Sequence, residues 1–72
     1  RRAMLHKTVT VEVDGARLRV DLDVVPDEDD PHALLSAWDG ASERVAQVRV
    51  MPNFKLSAES ARRWVASNFR EP

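Results

Sequence analysis

The chain has 72 residues, a formal net charge of −1 and no cysteine. It is long enough for a single small domain, residues 1–72, and without cysteine it forms no disulfide, zinc–thiolate site or thiol-based active site. No apolar run approaches the roughly 18 residues that a membrane-spanning helix needs, so we expect no membrane insertion and a cytoplasmic location.

The first residues and the amino-acid usage bear on where the sequence comes from. Residues 1–3 precede Met4, and we interpret them as a cloning remnant or the end of a truncated leader. Nine arginines accompany two lysines, and isoleucine and tyrosine are absent. That usage favours a GC-rich bacterium or its phage as the source.

Charge is strongly segregated along the chain. Residues 21–43 contain eight acidic side chains and no lysine or arginine, whereas both flanks are basic. Segregated charge concerns partners and electrostatic steering, and says little about fold. It is the one sequence feature that points to something outside the molecule.

Residues 4–25 predict a β-hairpin around Asp14-Gly15. Apolar and polar side chains alternate on both sides of this pair, which favours a type I′ turn because both of its central residues need positive φ. A two-residue turn also fixes the strand register. The expected cross-strand pairs are Val11 with Leu18, Val9 with Val20, Leu5 with Val24, Glu12 with Arg17 and His6 with Asp23.

The next segment predicts a short helix over residues 31–38. Asp30 is a favourable N-cap, Pro31 suits the first helical position, and Gly40 suits the end of the helix. The inward side chains would be Leu34, Leu35 and Trp38. Such a helix is barely two turns long and would depend on packing for its stability.

A third strand and a C-terminal helix complete the prediction. Residues 44–51 alternate as a strand, and Pro52-Asn53 ends it. Ser57 caps a helix over residues 57–70, whose apolar stripe includes Ala61, Trp64 and Val65. The predicted fold class is α+β: a three-stranded, mainly antiparallel sheet with the C-terminal helix packed on one face. Either the first or the third strand must then be an edge that a partner, or a second copy, could extend.

Residues Asp27 to Asp30 with His32 form the densest polar cluster. Carboxylates beside an imidazole can hold a metal ion, but the spacing lacks the alternation of a calcium-binding loop. We interpret the cluster as a solvated loop that caps a helix, and we predict no metal and no cofactor. His6 and His32 lie in no nucleophile motif, so we expect the protein not to be an enzyme.

The favoured partner-binding residues are Asp27, Glu28, Asp29 and Trp38. The three carboxylates lack a counter-charge nearby in the sequence, and tryptophan is enriched at interface hot spots. The alternative is a DNA-associated accessory protein that uses Arg62, Arg63, Lys55 and Arg49, although the slightly acidic balance disfavours it. A third reading is that the acidic stretch imitates a nucleic-acid backbone.

The order of a three-stranded sheet and one helix, with the stretch from Phe54 through Ser57 and Ala61 to Trp64, resembles the arm-type DNA-binding domains of tyrosine recombinases. That resemblance implies a basic DNA-reading sheet, whereas here an acidic loop precedes strand three. The hairpin-then-helix order is similar to β-grasp folds, yet no strand follows the third. Neither likeness assigns a family. The leading prediction is a non-enzymatic protein-interaction module that binds through the acidic loop or a sheet edge.

Overall fold

The computed structural model describes residues 6–40 and 42–68. They form a four-stranded antiparallel sheet and one helix, an α+β arrangement. The elements are β1 (His6–Val13), β2 (Ala16–Val25), β3 (His32–Asp39), β4 (Glu43–Val50) and α1 (Ala58–Asn68). Each strand pairs with the next, so the sheet order is β1-β2-β3-β4 and β1 and β4 are its edges. Within the described part of the chain no helix is long and apolar enough to cross a membrane.

The predicted N-terminal hairpin is confirmed for its described residues, from His6 onwards. Asp14 and Gly15 have φ values of 53° and 82°, as a type I′ turn requires. The register is the predicted one, with Val11 opposite Leu18, Val9 opposite Val20, Glu12 opposite Arg17 and His6 opposite Asp23. The predicted pairing of Leu5 lies outside the described residues.

The predicted helix over residues 31–38 is wrong, because this segment is strand β3. Ala33, Leu35 and Ala37 are buried on one face of the sheet, which is a period of two rather than the helical period. β3 pairs with β2 on one side and β4 on the other. As a central strand, the segment pairs its backbone on both sides and buries Ala33, Leu35 and Ala37, so tertiary packing overrides the local capping signals.

Gly40 belongs to the turn between β3 and β4 and does not end a helix. Its φ is 83°, a conformation in which glycine lacks the steric cost of other residues. Asp39 is the last residue of β3 and lies opposite Glu43, so this turn is longer than the two-residue turn at Asp14-Gly15. The sheet has four strands, and the predicted count of three is corrected.

The strand predicted over residues 44–51 is β4, and it is an edge. Its pairing with β3 is regular from Ala46 to Val50, where Ala33 lies opposite Val50 and Ala37 opposite Ala46. The register then shifts, so that Trp38 lies opposite Arg44 and Val45 is an extra residue in β4. This is a β-bulge, which bends the strand and interrupts the ladder at that point.

Helix α1 confirms the predicted C-terminal helix over its described residues, while Phe69 and Arg70 lie outside them. Ser57 is the N-cap: its Oγ accepts a hydrogen bond from the Ser60 N–H at 3.1 Å. The Ser57 N–H donates in return to the Ser60 Oγ at 2.9 Å. The two serines form a reciprocal capping box in which Ser60 replaces the usual glutamate.

The core lies between α1 and one face of the sheet, called here the helix side. It combines buried side chains from three strands, the loop before the helix and the helix itself: Val11, Leu18, Val20, Leu22, Ala33, Leu35, Ala37, Leu56, Ala61 and Val65. The other face, called here the open face, carries the alternate residues of each strand.

Candidate functional site

The helix covers the sheet unevenly. Among the strands, α1 packs chiefly against β1, where Val11 is only 4% exposed. In β4, all of whose residues are described, none is buried. Val45 and Val48 are each 39% exposed, and Met51 just beyond the strand is 69% exposed. The apolar half of the helix side near β4 is therefore open to solvent.

A groove runs between α1 and β4 on this uncovered half. Its floor is formed by sheet residues Leu35, Val48 and Val50, and its wall by Phe54 and Trp64, with polar side chains at the rim. The cavity volume is about 370 Å³. We call this depression the β4 groove; the exposed Val45 and Met51 lie beyond it, and Val45 lines a separate depression with Val13, Leu18 and Val65. Apolar concavities with a polar rim are the usual form of a binding surface.

The backbone beside the groove is also available for pairing. β4 is an edge strand, so the outward N–H and C=O groups of its regular part, residues 46–50, have no neighbouring strand in the sheet. The bulge at Val45 marks where a regular ladder would stop. A strand of another chain could thus pair with β4 over about five residues while its side chains enter the groove.

The open face, by contrast, is covered by its own polar side chains. Asp21 is buried there because Thr8 donates to its Oδ1 at 3.0 Å and the Arg19 Nε lies 3.2 Å from the same oxygen. Ser36, also buried, accepts from the Gln47 Nε2 at 3.0 Å. These contacts satisfy the side chains of Asp21 and Ser36, which would be costly to bury unpaired, whereas the Arg19 Nε and the Trp38 Nε1 are buried without a hydrogen-bond partner among the described residues.

Trp38 lies on this open face, under Arg19, whose guanidinium carbon is 5.2 Å from the centre of a Trp38 ring. The sequence prediction grouped Trp38 with the acidic loop because a helix would have brought them together. As a strand, β3 separates them: the loop precedes His32, and Trp38 lies six residues further along the extended chain, about 20 Å away. The structure therefore does not bring Trp38 together with Asp27, Glu28 and Asp29.

The acidic loop connects β2 to β3 near the C-terminal end of β4. The Asp27 Oδ1 accepts from the Asp29 N–H at 3.0 Å, a local turn. Asp30 does not cap a helix; its carboxylate forms an exposed ion pair with Arg49 of β4. His32 contacts the carbonyl of Asp30 through Nδ1 at 2.8 Å. Among the described residues, no group of three or more histidine, cysteine, aspartate or glutamate side chains could hold a metal ion.

The basic residues of the DNA-binding alternative do not form one surface. Arg49 is on the open face, opposite Leu34 and paired with Asp30. Arg62 and Arg63 are on α1, which lies on the helix side, and the Arg63 Nη2 is 3.3 Å from the Glu59 carboxylate. Lys55 is exposed in the loop before the helix. The sheet separates these cations into two groups.

His6 and Asp23 form the predicted cross-strand pair at the start of β1. The His6 Nδ1 is hydrogen-bonded to the Asp23 carboxylate, and its Nε2 lies 3.1 Å from the Thr8 hydroxyl. The hydrogen bond to Asp23, and then the charge of Asp23, raise the pKa of His6 above its ordinary value of 6.5. The pair is exposed and has no cavity beside it among those described, so we assign it a local structural role.

The sequence prediction anticipated a sheet edge but not the groove. The signal that would have found it is the number of strands. Four strands about 4.8 Å apart form a sheet about 14 Å wide between its outer strands, whereas a helix is about 10 Å in diameter. One helix that lies towards one edge therefore leaves the other edge of such a sheet uncovered. Because β3 was predicted as a helix, the uncovered half could not be recognised.

Comparison with protein-family models, with curated proteins and with solved structures finds no match for this chain. The function must therefore be argued from the surface just described.

Proposed function

We propose that the protein is a non-enzymatic protein-interaction module that binds its partner at the edge of β4 and in the β4 groove. The observation that carries this proposal is the exposure of Val45, Val48 and Met51 beside an apolar groove on an edge strand. Elsewhere on the helix side, Leu18, Val20 and Leu22 of β2 and Ala33, Leu35 and Ala37 of β3 are buried. An apolar strip left exposed beside an unpaired strand is typical of an interaction surface.

Two kinds of contact would act together. Backbone pairing with β4 supplies affinity that is independent of sequence, and side chains on the helix side of the incoming segment supply specificity by entering the groove. Phe54 and Trp64 are the aromatic side chains of the wall, and aromatic residues contribute much of the binding free energy at interfaces.

The acidic loop would act at one end of this surface. Asp30 contacts Arg49 near the end of β4, so Asp27, Glu28 and Asp29 lie close to the place where a paired strand would enter or leave. Exposed carboxylates at the rim steer basic partners and increase the association rate more than the affinity. Basic residues flanking an apolar strand are therefore the expected features of the partner. Trp38 lies on the opposite face and does not belong to this surface.

A DNA-associated role is the weaker alternative. Arg49 and Arg63 are each paired with a carboxylate, and the two groups of cations lie on opposite sides of the sheet. Phosphate binding needs a coherent basic surface. The absence of DNA binding in a fluorescence titration at low salt, where electrostatic attraction is strongest, would exclude it.

The proposal is tested by affinity capture from a lysate of the source cell, quantified by mass spectrometry. Val48→Lys places a charge in the centre of the groove floor and should reduce capture of the specific partner at least tenfold. Thr10→Lys is the matched control, because it adds the same charge at an exposed position of the other edge strand. Equal capture by the wild type and Val48→Lys, with both folded by circular dichroism, would show that the β4 groove is not the binding surface.

A further inference from the structure

We infer that the partner at β4 is a second copy of this chain, bound by antiparallel pairing of β4 with β4 about a two-fold axis. The inference rests on the proposed function, because it gives the identity of the occupant of the same surface. The product is a dimer with one continuous eight-stranded sheet. The arguments come from the register of β4, the chemistry of its side chains and the position of α1.

The bulge limits the registers that are possible. Regular pairing geometry extends over residues 46–50, because Val45 interrupts the ladder. A two-fold axis that uses all five regular residues of both copies passes beside the middle one, Val48. Val48 then lies opposite Val48 of the second copy, Ala46 opposite Val50, and Gln47 opposite Arg49.

The side chains agree with this register on both faces. On the helix side, apolar residues meet apolar residues, since Ala46, Val48 and Val50 all lie on that side. On the open face, the amide of Gln47 meets the guanidinium of Arg49, and no like charges are directly opposite. β4 is therefore complementary to itself over the whole regular stretch.

The neighbouring registers are worse. Sliding the second copy by two residues in one direction places Arg49 opposite Arg49, which is a repulsive pair. Sliding it by two residues in the other direction places the bulged Val45 opposite Arg49 and shortens the ladder. The charge pattern and the bulge together select the register centred on Val48.

The same symmetry places the two grooves together. A two-fold axis between antiparallel strands is perpendicular to the sheet, so both helices lie on the same side of the joined sheet. Each helix lies towards β1 of its own copy. The two β4 strands, with Val48 and Val50 from each copy, then form a common apolar floor between the helices. A 72-residue domain has a small core, and this contact enlarges it.

Sedimentation equilibrium on the full chain over a wide concentration range tests the dimer. The wild type should show a concentration-dependent monomer–dimer equilibrium. Val48→Lys should weaken it at least tenfold, because the axis places the two introduced charges opposite each other. Thr10→Lys, the control at the other edge strand, should dimerise like the wild type. A wild-type chain that is monomeric at all concentrations overturns the inference.

The register is tested separately by thiol cross-linking, which is clean because the chain has no cysteine of its own. Val48→Cys should cross-link to itself with a short bismaleimide. Gln47→Cys mixed with Arg49→Cys should give a mixed product in excess of either self-linked product. Efficient self-linking of Thr10→Cys without linking of Val48→Cys would assign the dimer to β1 and overturn the inference.

The two proposals fail in different ways. If the wild type is monomeric but Val48→Lys abolishes capture of another protein, then the β4 groove binds a foreign partner and only the self-pairing is wrong. If the wild type dimerises through Val48, its own copy should compete with any captured protein. If neither self-association nor capture responds to Val48→Lys, both proposals are wrong.

Discussion

The two edges of the sheet have similar sequences and opposite surroundings. β1 and β4 are both eight-residue strands with three apolar residues at alternate positions, Val9, Val11 and Val13 in β1 and Ala46, Val48 and Val50 in β4, and each pairs with one neighbour. The helix-side residue Val11 of β1 is buried beneath α1, whereas Val48 of β4 is exposed beside the groove. Burial of an edge strand is therefore decided by where the helix lies and cannot be inferred from the alternation of the strand itself.

The path of the chain explains which edge is covered. After β4 the chain turns, with the Phe54 N–H donating to the Met51 carbonyl at 3.0 Å, and then crosses the helix side. Leu56 enters the core on the way, and α1 follows against β1. Because the chain crosses the sheet before α1 begins, the helix lies against β1, the edge farther from the end of β4. The edge at β4 is left uncovered.

The strongest test of this difference places the same charge on both edges. Val11→Asp buries a carboxylate under α1 and should lower the free energy of unfolding by about 3–5 kcal/mol, comparable with the whole stability of a domain this small. Val48→Asp leaves the carboxylate in water and should lower it by at most about 1 kcal/mol, from reduced strand propensity. Urea unfolding followed by circular dichroism, at a concentration where the protein is monomeric, measures both.

Equal losses in the two variants would show that β4 is covered in solution as well as β1. The proposed difference between the two edges would then be wrong, and so would the conclusion that the β4 groove is open to solvent. Val11→Thr and Val48→Thr keep the side-chain shape and provide a milder matched pair for the case in which Val11→Asp does not fold.

The same contrast shows which parts of the fold can be read from sequence. The Asp14-Gly15 hairpin was predictable because the turn, the alternation and the charge pairs are all local and agree. β3 was not, because Asp30-Pro31 and the spacing of Leu34, Leu35 and Trp38 satisfy a helix locally. Its strand conformation depends on β2 and β4, which lie on either side of it. Gly40 does not decide between the two conformations, because a glycine with positive φ suits the end of a helix as well as a turn between strands.

A second test destabilises α1, the helix that covers β1. Ser57→Ala removes the N-cap acceptor of α1 and should lower the free energy of unfolding by about 1 kcal/mol. Because α1 lies against β1, amide hydrogen exchange should quicken in α1 and β1 more than in β4. Ser67→Ala, at an exposed position near the other end of α1, is the control and should change stability by less than about 0.5 kcal/mol. Uniform quickening across the sheet would mean that α1 supports both edges alike.

The candidate site was predictable only in part, for a related reason. The alternation of residues 44–51 predicts an edge strand. The run of acidic residues at 27–29 predicts an exposed acidic loop. That the two lie at the same end of β4 depends on the contact between Asp30 and Arg49, which are 19 residues apart in sequence. The grouping of Trp38 with the loop failed because it relied on a helix that does not form.

The smallest expected effect is on the pH dependence of stability, in which the ion pairs at the two edges of the sheet should differ. His6–Asp23 joins β1 to β2 and Arg49–Asp30 lies at β4, and only the first pair contains a histidine. Since folding raises the pKa of His6, the folded state binds the proton more tightly than the unfolded state. The stabilisation is therefore complete below pH 6.5 and is lost as the pH rises through the higher pKa of the folded state.

An exposed ion pair contributes at most about 1 kcal/mol, so the urea midpoint should fall slightly but measurably between pH 6 and pH 8.5. His6→Gln should remove this dependence, whereas His32→Gln, the control for the other imidazole, should keep it. Arg49→Gln, which removes the exposed ion pair at the other edge, should lower stability by a similar small amount. A pH dependence that survives in His6→Gln would have to arise from another group. The His6–Asp23 pair would then not be the source of the pH dependence, and this difference between the two edges would be wrong.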